Sequence, residues 1–142
     1  MTKVCIVTGA SRGMGYGIAK VLAEEEGATV YATARSKQAL DDLSASTKDS
    51  LGVIHPCVLD QADDGAVERF VLNVKAKEKQ IDLLVNSAYG GLTAMAPHFG
   101  KPFWERPVSV FDASMNIGLR SAFVMSKFVA PHMVENKSGL MV

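Results

Sequence analysis

The feature that most limits this chain is a strand-like run that turns into a helix through three glycines. Lys3–Thr8 (KVCIVT) is β-branched and almost wholly apolar, and it leads straight into Thr8-Gly9-Ala10-Ser11-Arg12-Gly13-Met14-Gly15. Glycines in such a turn let the backbone bend sharply and let a ligand come close to the main chain. The free N–H groups and the positive helix end then form an anion cradle suited to a pyrophosphate. A glycine cluster alone is a weak signal, but this one opens a β-α-β unit at the first strand, which is the context that gives it meaning. Two rival patterns fail on spacing. The Walker form needs Gly-Lys followed by Ser or Thr, which is absent, and the G-x-G-x-x-G form fails at Ile18 and Lys20.

Downstream, strand-like and helix-like segments keep alternating. Met14, Ile18, Val21 and Leu22 share one face of a predicted helix over 13–26. The second strand is predicted over 28–33, and Ser36 is placed to cap a helix through Leu40 and Leu43. A third strand covers 53–59. Val67, Phe70, Val71 and Val74 form an i, i+3, i+4, i+7 stripe. A fourth strand covers 81–86, and Tyr89–Pro107 has the prolines and glycines of a loop. One long helix is predicted over 108–136, with Phe111, Met115, Leu119, Phe123 and Ser126 along one side. Leu140-Met141-Val142 begins a fifth strand.

Strands rich in Val, Ile and Leu on both faces imply a parallel sheet covered on both sides. With right-handed crossovers, this predicts an α/β fold: a Rossmann-like doubly wound parallel sheet, truncated after the start of its fifth strand. Residues 1–142 are expected to be one nucleotide-binding domain.

Composition narrows the partners. Fifteen basic residues balance fifteen acidic ones, so no nucleic-acid partner is expected. No apolar run nears the roughly 20 residues of a membrane span, and the N-terminus enters a strand without room for a signal peptide. A cytoplasmic location is the default. Cys5 and Cys57 sit in apolar runs on strands that would not be neighbours, which predicts free thiols. His55, His98 and His132 are scattered, and no metal site is expected.

The end of the second strand reads the adenosine ribose in such folds. A carboxylate there would accept from the ribose hydroxyls and repel a 2′-phosphate. This chain has Thr33-Ala34-Arg35-Ser36 instead. Arg35 can pair with a phosphate, Ser36 can donate to it, and Arg12 can close from the glycine turn. These residues favour NADP(H) over NAD(H). Asp60 ends the third strand, where it either accepts from the adenine amino group or caps the next helix. Asn86 ends the fourth strand at the crevice where the strand order reverses, placed to tie strand ends through backbone bonds.

Taken together, Thr8-Gly9-x-x-x-Gly13-x-Gly15, Asp60, Asn86-Ser87-Ala88-Tyr89-Gly90 and Asn116 resemble the short-chain dehydrogenase/reductase family along the whole chain. The resemblance implies that Gly9, Ser11, Arg12, Gly13, Met14 and Gly15 hold the pyrophosphate and its ribose. It assigns Arg35 and Ser36 to the 2′-phosphate, and Asp60 with Gln61 to the adenine. Asn86, Ala88 and Tyr89 would line the nicotinamide side. Asn116 would hold a water in a proton relay, and the substrate would be a small carbonyl or alcohol compound. The chain departs from the family's usual Asn-Asn-Ala-Gly, because Tyr89 stands where glycine is usual.

The family's Ser and Tyr-x-x-x-Lys lie past the fifth strand, where this sequence ends. Tyr16 and Lys20 have that spacing, but they fall in the first turns of the first helix, behind the cradle. The expectation is therefore a cofactor-binding portion, inactive alone, of a longer NADP-dependent oxidoreductase. The alternative is a short product that binds nucleotide or a partner without turnover. Phe111, Met115, Phe123 and Met133 are expected to expose apolar surface, and in the family the 108–136 helix often serves a homo-oligomer. The resemblance also leaves association with the endoplasmic reticulum as the alternative location.

Overall fold

A computed structural model describes residues 2–142. The elements run β1 (Val4–Thr8), α1 (Gly13–Glu24), β2 (Thr29–Ala34), α2 (Lys37–Ser46), β3 (Val53–Val58), α3 (Asp64–Lys77), β4 (Leu83–Val85), α4 (Gly91–Met95), α5 (Val108–Ser114), α6 (Ser121–Glu135) and β5 (Leu140–Met141). Every strand pairing is parallel, in the order β3-β2-β1-β4-β5. The order reverses at β1, whose two neighbours are β2 and β4, so the sheet is doubly wound as its sequence predicts.

Side chains of β1 alternate between the two faces. Val4 and Ile6 join the core under α3 and α6, with Val67, Val71, Met125 and Val129. Cys5 and Val7 join the core under α1 and α2, with Ala19, Ala23, Leu40 and Leu43. Two apolar layers on one sheet explain why β1 and β2 are nearly uniformly apolar. Pro56 lies in β3, which is an edge strand, where a missing N–H breaks no central ladder. β2 separates Cys5 from Cys57, and both thiols are free. Burial, helped by the Asp82 charge, pushes the Cys5 thiol up to about 11, so it is an inert core group.

Four expectations need correction. The buried face of α1 is Gly15, Ala19 and Ala23, whereas Met14 and Val21 are exposed. The helix begins at a turn tight against β1, and that approach admits only small side chains on the sheet side. The single helix over 108–136 is two helices. Between α5 and α6, residues Met115–Arg120 form a π-type turn, and Ile117 leaves helical geometry at φ −105° and ψ 70°. Gly118 follows it and weakens helix propensity there. The apolar spacing 111, 115, 119, 123 continues across the break, so periodicity alone could not reveal it. Met133 is buried in the core rather than exposed. The segment read as loop also contains α4 and two short 3₁₀ turns, Ala96–His98 and Phe103–Glu105. Among the described residues, no helix is long and apolar enough to cross a membrane.

Asp82 fastens the lower end of the sheet. Its Oδ2 accepts from the Val4 amide at 2.9 Å, and its Oδ1 accepts from Lys3 Nζ at 3.0 Å and Gln80 Nε2 at 2.6 Å. Burial alone would raise its carboxyl, but these donors outweigh it and hold the group below the ordinary carboxylate value of 3.8. A depressed folded pKa contributes stability that is fully present above the unfolded value and lost as pH falls through the folded one. Thermal unfolding followed by circular dichroism should therefore show a falling midpoint as pH drops below about 4. Asp82→Asn should be less stable at neutral pH and show a flatter acid dependence. An unchanged acid slope in that variant would contradict the role given to Asp82.

Candidate functional site

The site forms at the upper ends of β1, β2, β3 and β4, around a cavity of about 770 Å³. Its first wall is the turn from β1 into α1. Gly9 has φ +67° and Gly13 has φ +58°, both in the left-handed region that favours glycine. They differ in what surrounds them. A Cβ on Gly9 would stand 2.7 Å from Ala88 Cα and 2.8 Å from the Ser87 carbonyl oxygen. A Cβ on Gly13 would meet nothing within 4 Å, because Gly13 faces the open cavity. Arg12 stands at the N-cap of α1 in extended geometry, and no side chain caps the helix start. The first amides of this 12-residue helix therefore lack a side-chain acceptor, and its first residues, Gly13, Met14 and Gly15, line the cavity.

Thr8 sets the depth of this crevice. Its side chain is buried, and Oγ1 accepts from the backbone amides of Ser87 and Ala88, each at 3.1 Å. One hydroxyl thus joins the end of β1 to the segment that follows β4 and draws that backbone against Gly9. Asn86 was expected to make such a tie. Its amide instead donates to the Val142 carbonyl at 2.8 Å, just past β5, and its side-chain Nδ2 donates to Ser126 Oγ of α6 at 3.3 Å, so the tie between β1 and β4 falls to Thr8. Asn86 Oδ1 is buried without a hydrogen-bond partner among the described residues.

The second wall comes from β2 and β3. Arg12 and Arg35 are both exposed and both line the cavity. Ser36 caps α2 by accepting from the Ala39 amide at 3.3 Å, which leaves its O–H free to donate. Asp60 lines the cavity and accepts from the Ala62 amide at 2.9 Å, while the cap of α3 falls to Asp63. The capping role weighed for Asp60 thus belongs three residues later. Gln61 is buried and donates to Thr33 Oγ1 at 3.3 Å, which commits its side-chain amide to the sheet.

The far end is closed by Ala88, Tyr89, Leu92, Thr93, Ala94, Ala113 and Ile117. The break between α5 and α6 creates this wall. The Ile117 carbonyl accepts from the Gly90 amide at 2.6 Å. Arg120 makes a two-pronged pair with Asp64 at 2.8 and 2.6 Å, tying the broken turn to the start of α3. That pairing holds the Asp64 carboxyl below its ordinary value. Ser11, Met14 and Gly15 complete the cradle wall. Ser36, Asn86 and Asn116 are not in the cavity wall, and Asn116 is exposed on the broken turn. Tyr16 packs half-buried against the α1 core and Lys20 lies 3.7 Å from Glu24, both away from the cavity. Among the described residues no group of His, Cys, Asp and Glu could hold a metal ion.

A strand-to-helix cradle at the reversal point of a parallel sheet is a dinucleotide site in form. The family model for short chain dehydrogenases matches residues 3–142. The chain belongs to the short-chain dehydrogenase family. It is 40% identical over 144 residues to dehydrogenase/reductase SDR family member 1 of Mus musculus, covering 99% of this chain and 45% of that protein. The chain spans about half the length of the curated relatives it matches. Two solved structures have the same fold. A metagenomic short-chain oxidoreductase in complex with NADP aligns at TM-score 0.84 and 30% identity, over 98% of this chain and 60% of its own. NAD⁺-bound xylitol dehydrogenase aligns at TM-score 0.84 and 28% identity, over 98% of this chain and 51% of its own.

Leu92, Ala113 and Ile117 line the site without having been singled out by sequence patterns, and Thr8 entered only as the first residue of the glycine motif. Thr8 carried a signal, since it is a hydroxyl ending an otherwise apolar strand beside the first glycine. Ile117 carried none, because its role arises from the helix break of this short-chain dehydrogenase. The two glycines of the cradle should respond differently to alanine. Gly9→Ala should cost about 2 kcal/mol or more, because it combines left-handed strain with collision against backbone. Gly13→Ala should cost only about 1 kcal/mol, from strain alone. Urea unfolding of the two variants measures both, and equal losses would contradict the packing described.

Proposed function

We propose that this short-chain dehydrogenase chain is the cofactor-holding portion of an NADP(H)-dependent oxidoreductase acting on carbonyl or alcohol substrates. The observation that carries this reading is the convergence of Arg12 and Arg35 on the cavity that holds the uncapped start of α1. A pyrophosphate fits the amides beside Gly13, where a Cβ would otherwise stand in open space. The guanidinium groups of Arg12 and Arg35, with the free Ser36 hydroxyl, fit a 2′-phosphate. No carboxylate follows β2 to repel it.

Asp60 spends one oxygen on Ala62 and keeps the other for the adenine amino group. Gln61 supports the adenine corner by fixing the backbone through Thr33. Ala88 and Tyr89 border the nicotinamide end, and Asn86 holds the strand end behind them. When bound, the dinucleotide supplies or accepts a hydride. The chain's own residues bind it, orient it and exclude water. Asn116, exposed beside Ile117, is assigned to a relay that holds water for proton transfer.

Tyr16 and Lys20 lie outside the cavity, so they do not serve as the proton donor and its partner. Turnover is therefore assigned to a longer protein of the relatives' size, and the 142-residue chain is a binding domain. Phe111, Leu119 and Phe123 are exposed along α5, the broken turn and α6, which supports a contact with a second copy through that face. A soluble cytoplasmic protein is the location this reading adopts.

Fluorescence titration of the chain with NADPH and NADH tests the cofactor assignment. The unmodified chain should prefer NADPH, and Arg35→Asp should move the preference toward NADH by roughly tenfold or more, the scale of one lost charge-assisted contact. Unchanged relative affinities would remove Arg35 from the assignment. Gly13→Val should abolish binding of both nucleotides while the chain stays folded by circular dichroism, since its branched Cβ fills the cradle. Retained binding would place the pyrophosphate elsewhere.

A further inference from the structure

The end of the cavity opposite the arginines is organised around a side chain that the cofactor assignment only borders. Tyr89 is half exposed and forms part of the wall together with Leu92 and Ile117. Its ring has backbone on two sides. A Cβ on Gly118 would stand 3.4 Å from Tyr89 Cδ2, and a Cβ on Gly91 would collide with the Tyr89 hydroxyl and Ser114 Oγ. The two glycines thus leave room for the ring between α4 and the broken turn.

The hydroxyl is held as well. Tyr89 Oη lies 3.1 Å from Ser114 Oγ, and Ser114 Oγ donates to the Val110 carbonyl at 2.8 Å. A serine hydroxyl has one proton. Because that proton goes to Val110, Tyr89 is the donor to Ser114. The phenol proton is therefore committed to the protein. Beside it the Gly90 amide donates to Ile117, so the loop after β4 and the helix break are fastened at two consecutive residues.

We propose that Tyr89 is a preorganised cofactor-seating residue of this site. Its ring, locked by Ser114, is the platform on which the non-adenine half of the dinucleotide is seated. The proposal rests on the dinucleotide reading given above. A ring held in one orientation before binding loses little freedom when a flat heterocycle packs on it. With its proton spent on Ser114, Tyr89 acts by shape and position and does not donate to substrate.

Two probes separate this role from general support of the fold. NADPH carries both halves of the dinucleotide, whereas 2′,5′-ADP carries only the adenine, ribose and phosphate half. Both are titrated by calorimetry against the 142-residue chain and its variants. Tyr89→Gly should weaken NADPH about tenfold, the scale of one lost stack on an aromatic ring, and change 2′,5′-ADP less than about twofold. Tyr89→Phe keeps the ring and should recover most of that loss. Ser114→Ala should match Tyr89→Phe, and the double variant should lose no more than either alone, because the two share one hydrogen bond. Equal weakening of both ligands by Tyr89→Gly would overturn the proposal, as would undiminished NADPH binding. Additive losses in the double variant would overturn the locking role of Ser114. If the unmodified chain binds neither ligand, the dinucleotide reading fails, and this inference fails with it. Binding of both ligands with no Tyr89 effect sinks the inference alone.

Discussion

The site depends on one buried hydroxyl. Thr8 Oγ1 accepts from two successive amides, Ser87 and Ala88, and so joins the end of β1 to the segment that follows β4. This join brings the Ala88 backbone against Gly9 so closely that no Cβ fits between them. With that corner closed, the chain leaves β1 through a tight turn, and the first residues of α1 line the cavity. A buried acceptor with two donors is a satisfied polar group in an apolar setting, and losing it would leave two amides unpaired. The cradle therefore follows from strand pairing at the point where the sheet reverses, as well as from its own glycines.

A second constraint shapes the other end. The helix after the loop cannot run straight, because its Ile117 carbonyl turns away to accept from Gly90. Arg120 holds the displaced turn against Asp64 at the start of α3. The pair is exposed, so its share of stability is small. Its two-pronged geometry matters more, since it fixes where Ile117 and Ala113 meet the cavity. The wall that would face a nicotinamide is thus built by a helix interruption and by the ring of Tyr89, both absent from the glycine motif.

How much of this was legible in the sequence varies by element. The alternation of apolar runs gave the strands and their parallel pairing, because β1 and β2 are apolar on both faces and only a sheet covered twice permits that. The stripe Val67, Val71, Val74 marked the face of α3 that reaches the core. The same logic failed for α1, where Ala19 and Ala23 carry the contact and Met14 and Val21 do not. Large apolar residues dominate a periodicity count, but a helix pressed against a sheet near a tight turn selects small ones. It failed again over 108–136, where the apolar spacing crosses a break at Ile117 that depends on Gly90, in the loop after β4. At the site, Arg12, Arg35, Asp60 and Gln61 all line the cavity, and the side-chain amide of Gln61 also donates to Thr33.

The sequence by itself determined the alternation of strands and helices from β1 to β4, the glycine turn and the absence of a carboxylate directly after β2. These are local properties: each is set by residue type and by spacing over a few positions. Only the tertiary structure decided that Thr8 clamps the crevice, that Ile117 closes it and that the Tyr89 proton goes to Ser114. Each of those depends on groups brought within hydrogen-bond reach across 25 residues or more of chain. Such contacts have no periodicity to announce them, because they are fixed by how the sheet and its helices pack.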